Sequence, residues 1–95
     1  MDVIWDPDKA NSNFAKHSVD FADAAVALED PNALTIVDED VNELRFKTLA
    51  LSPDSNILLI VHAEQDEEDA IRIISARRAD KTEEKQYFQG DNHER

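Results

Sequence analysis

The apolar positions of this chain change period along its length, and each change marks an element. Val3, Ile4 and Trp5 make a short β-type run, and Asp6-Pro7 behind them offers an N-cap and a first helical turn, which predicts a helix over 7–17. On that helix Lys9, Asn13, Lys16 and His17 share one polar face, while Ala10 and Phe14 are expected to pack inward. Ser18-Val19 breaks it. Asp20 followed by Asp23 reads as an acidic capping box opening a second helix, in which Phe21, Ala24, Ala25 and Leu28 form one buried stripe. Asp30-Pro31-Asn32 ends that helix, because the residue before proline is pushed out of the helical region.

From there the period becomes two. A strand is expected over 34–37, ended by Asp38-Glu39-Asp40, and another over 44–51, with Leu44, Phe46, Thr48 and Ala50 on one face and Arg45, Lys47, Leu49 and Leu51 on the other. Ser52-Pro53-Asp54-Ser55-Asn56 is a turn, and the unbroken apolar run 57–61 reads as a central strand. The acidic run 64–69 reads as a solvated hairpin loop before a last strand over 70–77. Asp80 or Thr82 then opens a final helix reaching 87 or 88. The predicted order is βαα, a four-stranded antiparallel meander and a C-terminal helix. The fold class is α+β with the helices on one face of the sheet, as one domain over 1–89 and a frayed tail over 90–95.

Composition narrows the chemistry. With 95 residues the chain suits one core, and a single Gly excludes a P-loop or a dinucleotide fingerprint. The absence of Cys excludes a disulfide scaffold, a thiol nucleophile and a Cys-based zinc site. No apolar run approaches the roughly 20 residues of a membrane span, and no signal pattern opens the chain, so the expected location is the cytoplasm, away from membrane. Asp66-Glu67-Glu68-Asp69 lacks the spacing of a calcium loop, and no metal or cofactor is expected.

The formal charge of -12 opposes general nucleic-acid binding, yet the cations, Arg95 of the tail aside, fall into three groups: Lys9 and Lys16, Arg45 and Lys47, and those from Arg72 to Lys85. A fold that gathers them makes a local basic site on an acidic body. Arg72, Arg77 and Arg78 have two readings. They balance nearby carboxylates, in pairs worth about 0–1 kcal/mol each at a surface, or they clamp an anion through the planar guanidinium fork. Strict alternation along the last strand puts Arg72 and Arg77 on opposite faces, so a shared site requires a twist, a bulge or an early strand end. His17 is either a helix-end cap or an acid–base group, and His62 reads as a packed core histidine. Trp5 and Tyr87 either stack on bases or anchor the core edge.

Taken as an ordered set, Trp5-Asp6-x-x-Lys9-x-x-x-Asn13-x-x-Lys16-His17-x-Val19-x-Phe21-x-x-Ala24, Asp30-Pro31, Glu43-x-Arg45 and Ile71-Arg72-Ile73-Ile74-Ser75-Ala76-Arg77-x-Ala79 resemble the BrnT family of toxins. The resemblance runs from Trp5 to Tyr87. It implies a RelE-like fold and a metal-independent endoribonuclease, the toxin of a type II toxin-antitoxin pair that arrests growth. Its implied partners are an RNA substrate and a BrnA-like ribbon-helix-helix antitoxin, with DNA touched only through that antitoxin. It assigns phosphate stabilisation to Arg72 and Arg77, proton transfer or substrate positioning to Lys9 and His17, and a supporting role to Glu43 and Arg45. Asn13, Lys16, Lys47 and Arg78 complete the expected RNA-binding set. The chain departs from the family in carrying Ser18 where Gly usually follows Lys-His, in lacking a Gly near Ala50, and in the acidity of 64–69. Those acidic residues motivate an alternative: a weakened or inactive homologue acting as an acidic protein-binding module or antitoxin corepressor.

Overall fold

The computed structural model describes residues 2–39, 42–65 and 69–90. Eight elements follow the predicted order: β1 (Asp2–Ile4), α1 (Pro7–His17), α2 (Phe21–Ala27), β2 (Leu34–Glu39), β3 (Leu44–Leu51), β4 (Ile57–Gln65), β5 (Ala70–Arg78) and α3 (Lys81–Gln89). The strands form one sheet in the order β1-β5-β4-β3-β2. β2 to β5 make the antiparallel meander, and β1 pairs parallel to β5 at Asp2↔Ala70 through Ile4↔Arg72. β2 and β4 run past their predicted ends because cross-strand pairing carries Asp38 and Glu39, and residues 62–65, beyond the apolar runs.

Local signals account for the helix ends. Asp6 Oδ1 accepts from the Asp8 N–H at 2.9 Å, and Asp20 Oδ1 from the Ala22 N–H at 3.0 Å. The reciprocal capping box expected at Asp20 forms instead at Asp80. There Asp80 Oδ1 accepts from the Glu83 N–H and Glu83 Oε1 accepts from the Asp80 N–H, at 2.8 and 2.9 Å. Glutamate reaches back to the cap backbone where the shorter Asp23 does not. α1 ends on Ser18 in the left-handed region, φ 59°, whose N–H bonds Phe14 O at 2.8 Å.

Two clusters fill the interior, one on each face of the sheet. On the first face Val19, Phe21, Ala24 and Ala27 pack against Ala50, Leu58, Ile60, Ile73 and Ala76, with Trp5 edge-on to Phe21 at 6.1 Å. On the other, Tyr87 of α3 packs with Leu49 and Ile57, joined by Leu34, Leu59 and Ala79. The expectation of helices on one face is therefore corrected: Leu49 and Leu59 give the second face its own apolar patch, and α3 covers it. Phe14 is also corrected, being 55% exposed. The buried position on α1 is Asn13, which turns the helix so that Ala10 packs against the core and Phe14 lies outside.

Asn13 faces β5, whose outer edge has no strand partner past Arg72 among the described residues. Its Oδ1 accepts from the Ala76 N–H at 3.1 Å and its Nδ2 donates to Ala76 O at 2.8 Å, with Val19 O also within reach at 3.2 Å. One side-chain amide thus satisfies the backbone polar groups of a strand edge that would otherwise be buried unpaired. Asp30 makes a second tie: its carboxylate accepts from the Leu51 N–H at 2.9 Å and the Tyr87 hydroxyl at 2.5 Å, joining the end of α2 to β3 and α3.

Candidate active site

The register between β4 and β5 shifts at one point. Val61 faces Ser75 and His62 faces Ile73, so Ile74 has no partner and forms a bulge. Directly opposed residues in antiparallel strands point to the same face. Below the bulge Ala63 faces Arg72, and above it Leu59 faces Arg77. Ala63, Val61 and Leu59 alternate regularly on β4, so Arg72, Ser75 and Arg77 share one face, while Ile73, Ala76 and Arg78 share the other. Burial of Ile73 and Ala76, three residues apart, in one core cluster requires the same break in alternation. The separation of Arg72 from Arg77 that strict alternation demands is thereby overturned.

β3 contributes to the same face. Leu49 faces Leu59 and Lys47 faces Val61, which puts Lys47 and, two residues earlier, Arg45 on the side of Arg72 and Arg77. Four of the expected site cations therefore line one sheet face, beside the N-terminal turn of α3.

Carboxylates and amides hold them in different ways. Arg72 Nη2 donates to both Glu43 oxygens at 3.0 and 3.2 Å, and its Nε donates to Gln65 Oε1 at 3.1 Å. Glu43 also meets Arg45 Nε at 3.5 Å, so one carboxylate bridges two arginines. Arg77 donates through Nη1 and Nη2 to Glu83 Oε1 and Oε2, both at 2.9 Å, and through Nη1 to Arg78 O at 3.1 Å. That hydrogen-bonded pairing raises the Arg77 pKa and lowers that of Glu83. Lys47 Nζ stands 3.7 Å from Asp38 and further lowers Glu83 through its charge.

The residues of α1 occupy a different place. Lys9 and Lys16 are exposed and His17 is half-buried at the last helical residue. At about 100° per residue, Lys9 and Lys16 flank Asn13 on the side away from Ala10. Asn13 itself spends its amide on β5 backbone. Arg78 stands on the opposite face from Arg77, pairs in register with Leu58 and is exposed. Trp5 and Tyr87 both serve the core, Trp5 against Phe21 and Tyr87 at 8% exposure with its hydroxyl on Asp30. The acidic stretch 66–68 lies outside the described residues. Among the described residues no three His, Asp or Glu side chains converge as a metal ion would need.

His62 is buried, as expected, at 6% exposure, with Nε2 sharing a 2.8 Å hydrogen bond with Thr48 Oγ1, which shares another at 2.8 Å with Thr35 Oγ1. Its ring stacks on Phe46 at 5.8 Å, and burial lowers its pKa.

The model of the BrnT family, the ribonuclease toxins of type II toxin-antitoxin systems, matches residues 5–83. This chain belongs to the BrnT family. The matched span contains both arginines, the α1 cations and the Asp80/Glu83 capping box. Comparison with curated proteins gives no match. Among solved structures the chain is similar to the ribonuclease toxin BrnT of Brucella abortus, with 26% identity over 85% of this chain and 99% of that one and a TM-score of 0.63. As a BrnT protein the chain has an α+β fold of one five-stranded sheet and three helices, and belongs to a system whose second member is an antitoxin.

Sequence reasoning missed Glu83 and Gln65, the groups that fix Arg77 and Arg72. Glu83 carried a signal: Asp80-x-x-Glu83 has capping-box spacing, which brings a glutamate to the helix entrance six residues beyond Arg77. Gln65 carried none, since its contact depends on the β4/β5 register.

Proposed function

We propose that this BrnT protein is a metal-independent endoribonuclease that cleaves RNA, arrests growth and is neutralised by a ribbon-helix-helix antitoxin, acting in the cytoplasm and reaching DNA only through that antitoxin. One observation carries the reading: the Ile74 bulge brings Arg72 and Arg77 onto the sheet face that also bears Arg45 and Lys47. Cleavage by a ribose 2′-hydroxyl creates a pentavalent phosphorane with growing negative charge, and arginines aimed at that charge stabilise it without a metal. The 2′-hydroxyl needs a proton acceptor and the leaving 5′-oxygen a donor. Lys9 and His17 on α1 are our candidates for those roles or for substrate positioning, with Lys16 and Lys47 as further RNA contacts; Asn13, buried with its amide on Ala76 backbone, and Arg78, on the opposite sheet face, leave the expected RNA-binding set. Glu43 and Arg45 support Arg72.

Induced expression in a bacterial host without antitoxin tests this. Growth is expected to stop, and Arg72→Ala or Arg77→Ala to relieve the arrest while the protein stays folded. Normal growth with abundant soluble wild-type protein contradicts the reading. A second reading, a non-catalytic homologue that binds its antitoxin as an acidic module, draws on Glu43, which fills the side of Arg72 where a phosphate would dock.

A further inference from the structure

The two arginines on this face are not equivalent, and the difference lies in which edge of each guanidinium is taken. A guanidinium offers two paired-donor edges on its accessible side: the end edge, made by Nη1 and Nη2, and the side edge, made by Nε and Nη2. On Arg72 the side edge is filled, Nε by Gln65 and Nη2 by both Glu43 oxygens, and because Nη2 belongs to both edges the end edge is left with Nη1 alone. On Arg77 the end edge is filled by the two Glu83 oxygens, and the remaining Nη1 hydrogen goes to Arg78 O. Among the described residues nothing accepts from Arg77 Nε or from the Nη2 hydrogen beside it. Those two parallel donors match the spacing of two phosphate oxygens.

From this we infer that Glu83 is the positioning residue of the site. It grips the end edge of Arg77 and presents the side edge to a phosphodiester of RNA, making Arg77 the anion clamp and leaving Arg72 as a tethered neighbouring charge. Glu83 is well placed for the task. Its Oε1 is anchored a second time by the Asp80 N–H, so the carboxylate is fixed to the entrance of α3, and 20% side-chain exposure keeps it shielded while Arg77 stays 40% exposed. Neutralising Glu83 would leave a rotatable guanidinium on the same strand. The cost falls on orientation, and orientation is where a pre-organised donor pair gains over a free one. Glu83 makes no contact with the phosphate in this arrangement and acts only through Arg77. The inference deepens the proposed ribonuclease reading and rests on the same face.

The test follows the side-chain Nε–H signals of Arg72 and Arg77 by nuclear magnetic resonance. The full-length protein is titrated with a 2′-O-methylated RNA dinucleotide, which has the phosphodiester but cannot be cleaved. In the wild type the Arg77 Nε–H is expected to shift saturably, more than that of Arg72. Glu83→Gln should bind about tenfold more weakly, and the control Glu84→Gln, which removes the same charge one residue away, should match the wild type. Circular dichroism and thermal melting establish that each variant is folded, and because Gln also serves as the capping-box acceptor for the Asp80 N–H, Glu83→Gln separates orientation from lost helix capping. Equal binding by Glu83→Gln, a tighter Glu83→Gln, a response at Arg72 in place of Arg77, or no response at either arginine overturns the inference. Cleavage of unmodified RNA is measured in parallel. Dinucleotide binding at Arg77 without cleavage sinks the ribonuclease reading and leaves the clamp standing, whereas cleavage without a response at Arg77 does the reverse.

Discussion

Ser18 carries a backbone cost at a single residue. The residue that ends α1 has φ 59° and ψ 30°, a left-handed conformation that glycine adopts without the Cβ clash other residues meet. Ser18→Gly should therefore raise stability by about 0.5–1 kcal/mol, visible as a higher melting temperature, and Ser18→Val should lower it. His62 gives a second consequence at this scale. Burial depresses its pKa below 6.5, so the unfolded chain takes up the proton first as pH falls. Its contribution to stability is complete above about 6.5 and is lost as pH drops towards the folded-state value. Denaturant melts between pH 7.5 and 5 should show stability falling through that window, and His62→Gln should flatten the slope.

At the scale of elements, the joint between α1 and β5 and the bulge in β5 set the geometry of the candidate site. Asn13→Ala removes the partner of two backbone groups of Ala76 inside the protein. It should cost about 2–4 kcal/mol in equilibrium unfolding, well beyond a typical surface change, and a loss under 1 kcal/mol would show that water replaces the amide. Asn13 was legible in the sequence only as a polar helix residue among lysines, because its partner lies 63 positions away. The bulge was equally hidden. Ile71 to Arg77 reads as an unbroken strand, and no Gly or Pro marks the extra residue at Ile74; only the pairing with β4 reveals it. By contrast, β3 was read to its limits, since its alternation of Phe46, Thr48 and Ala50 with Lys47 and Leu49 is the burial pattern of a strand covered on both faces. The placement of α3 was lost for a related reason. Tyr87 alone marks its buried side, and one residue does not tell which face of a sheet it will cover.

For the molecule as a whole, net charge and local charge oppose each other. A formal charge of -12 repels RNA at long range, so under the proposed function the cationic face acts at short range, where two arginines held by carboxylates are already oriented. The same field favours encounter with a cationic partner. No helix among the described residues is long and apolar enough to cross a membrane. The central claim of the proposed function is that Arg72 and Arg77 work together on RNA from a single face. The most direct test is cleavage of a defined RNA in the presence of a chelator by the wild type, Arg72→Ala, Arg77→Ala and the double variant. The account predicts cleavage by the wild type, a loss in kcat/KM of about 100-fold for Arg77→Ala and a double variant less impaired than the product of the single losses. Intact RNA with the folded wild type, or undiminished cleavage by folded Arg77→Ala, would contradict it.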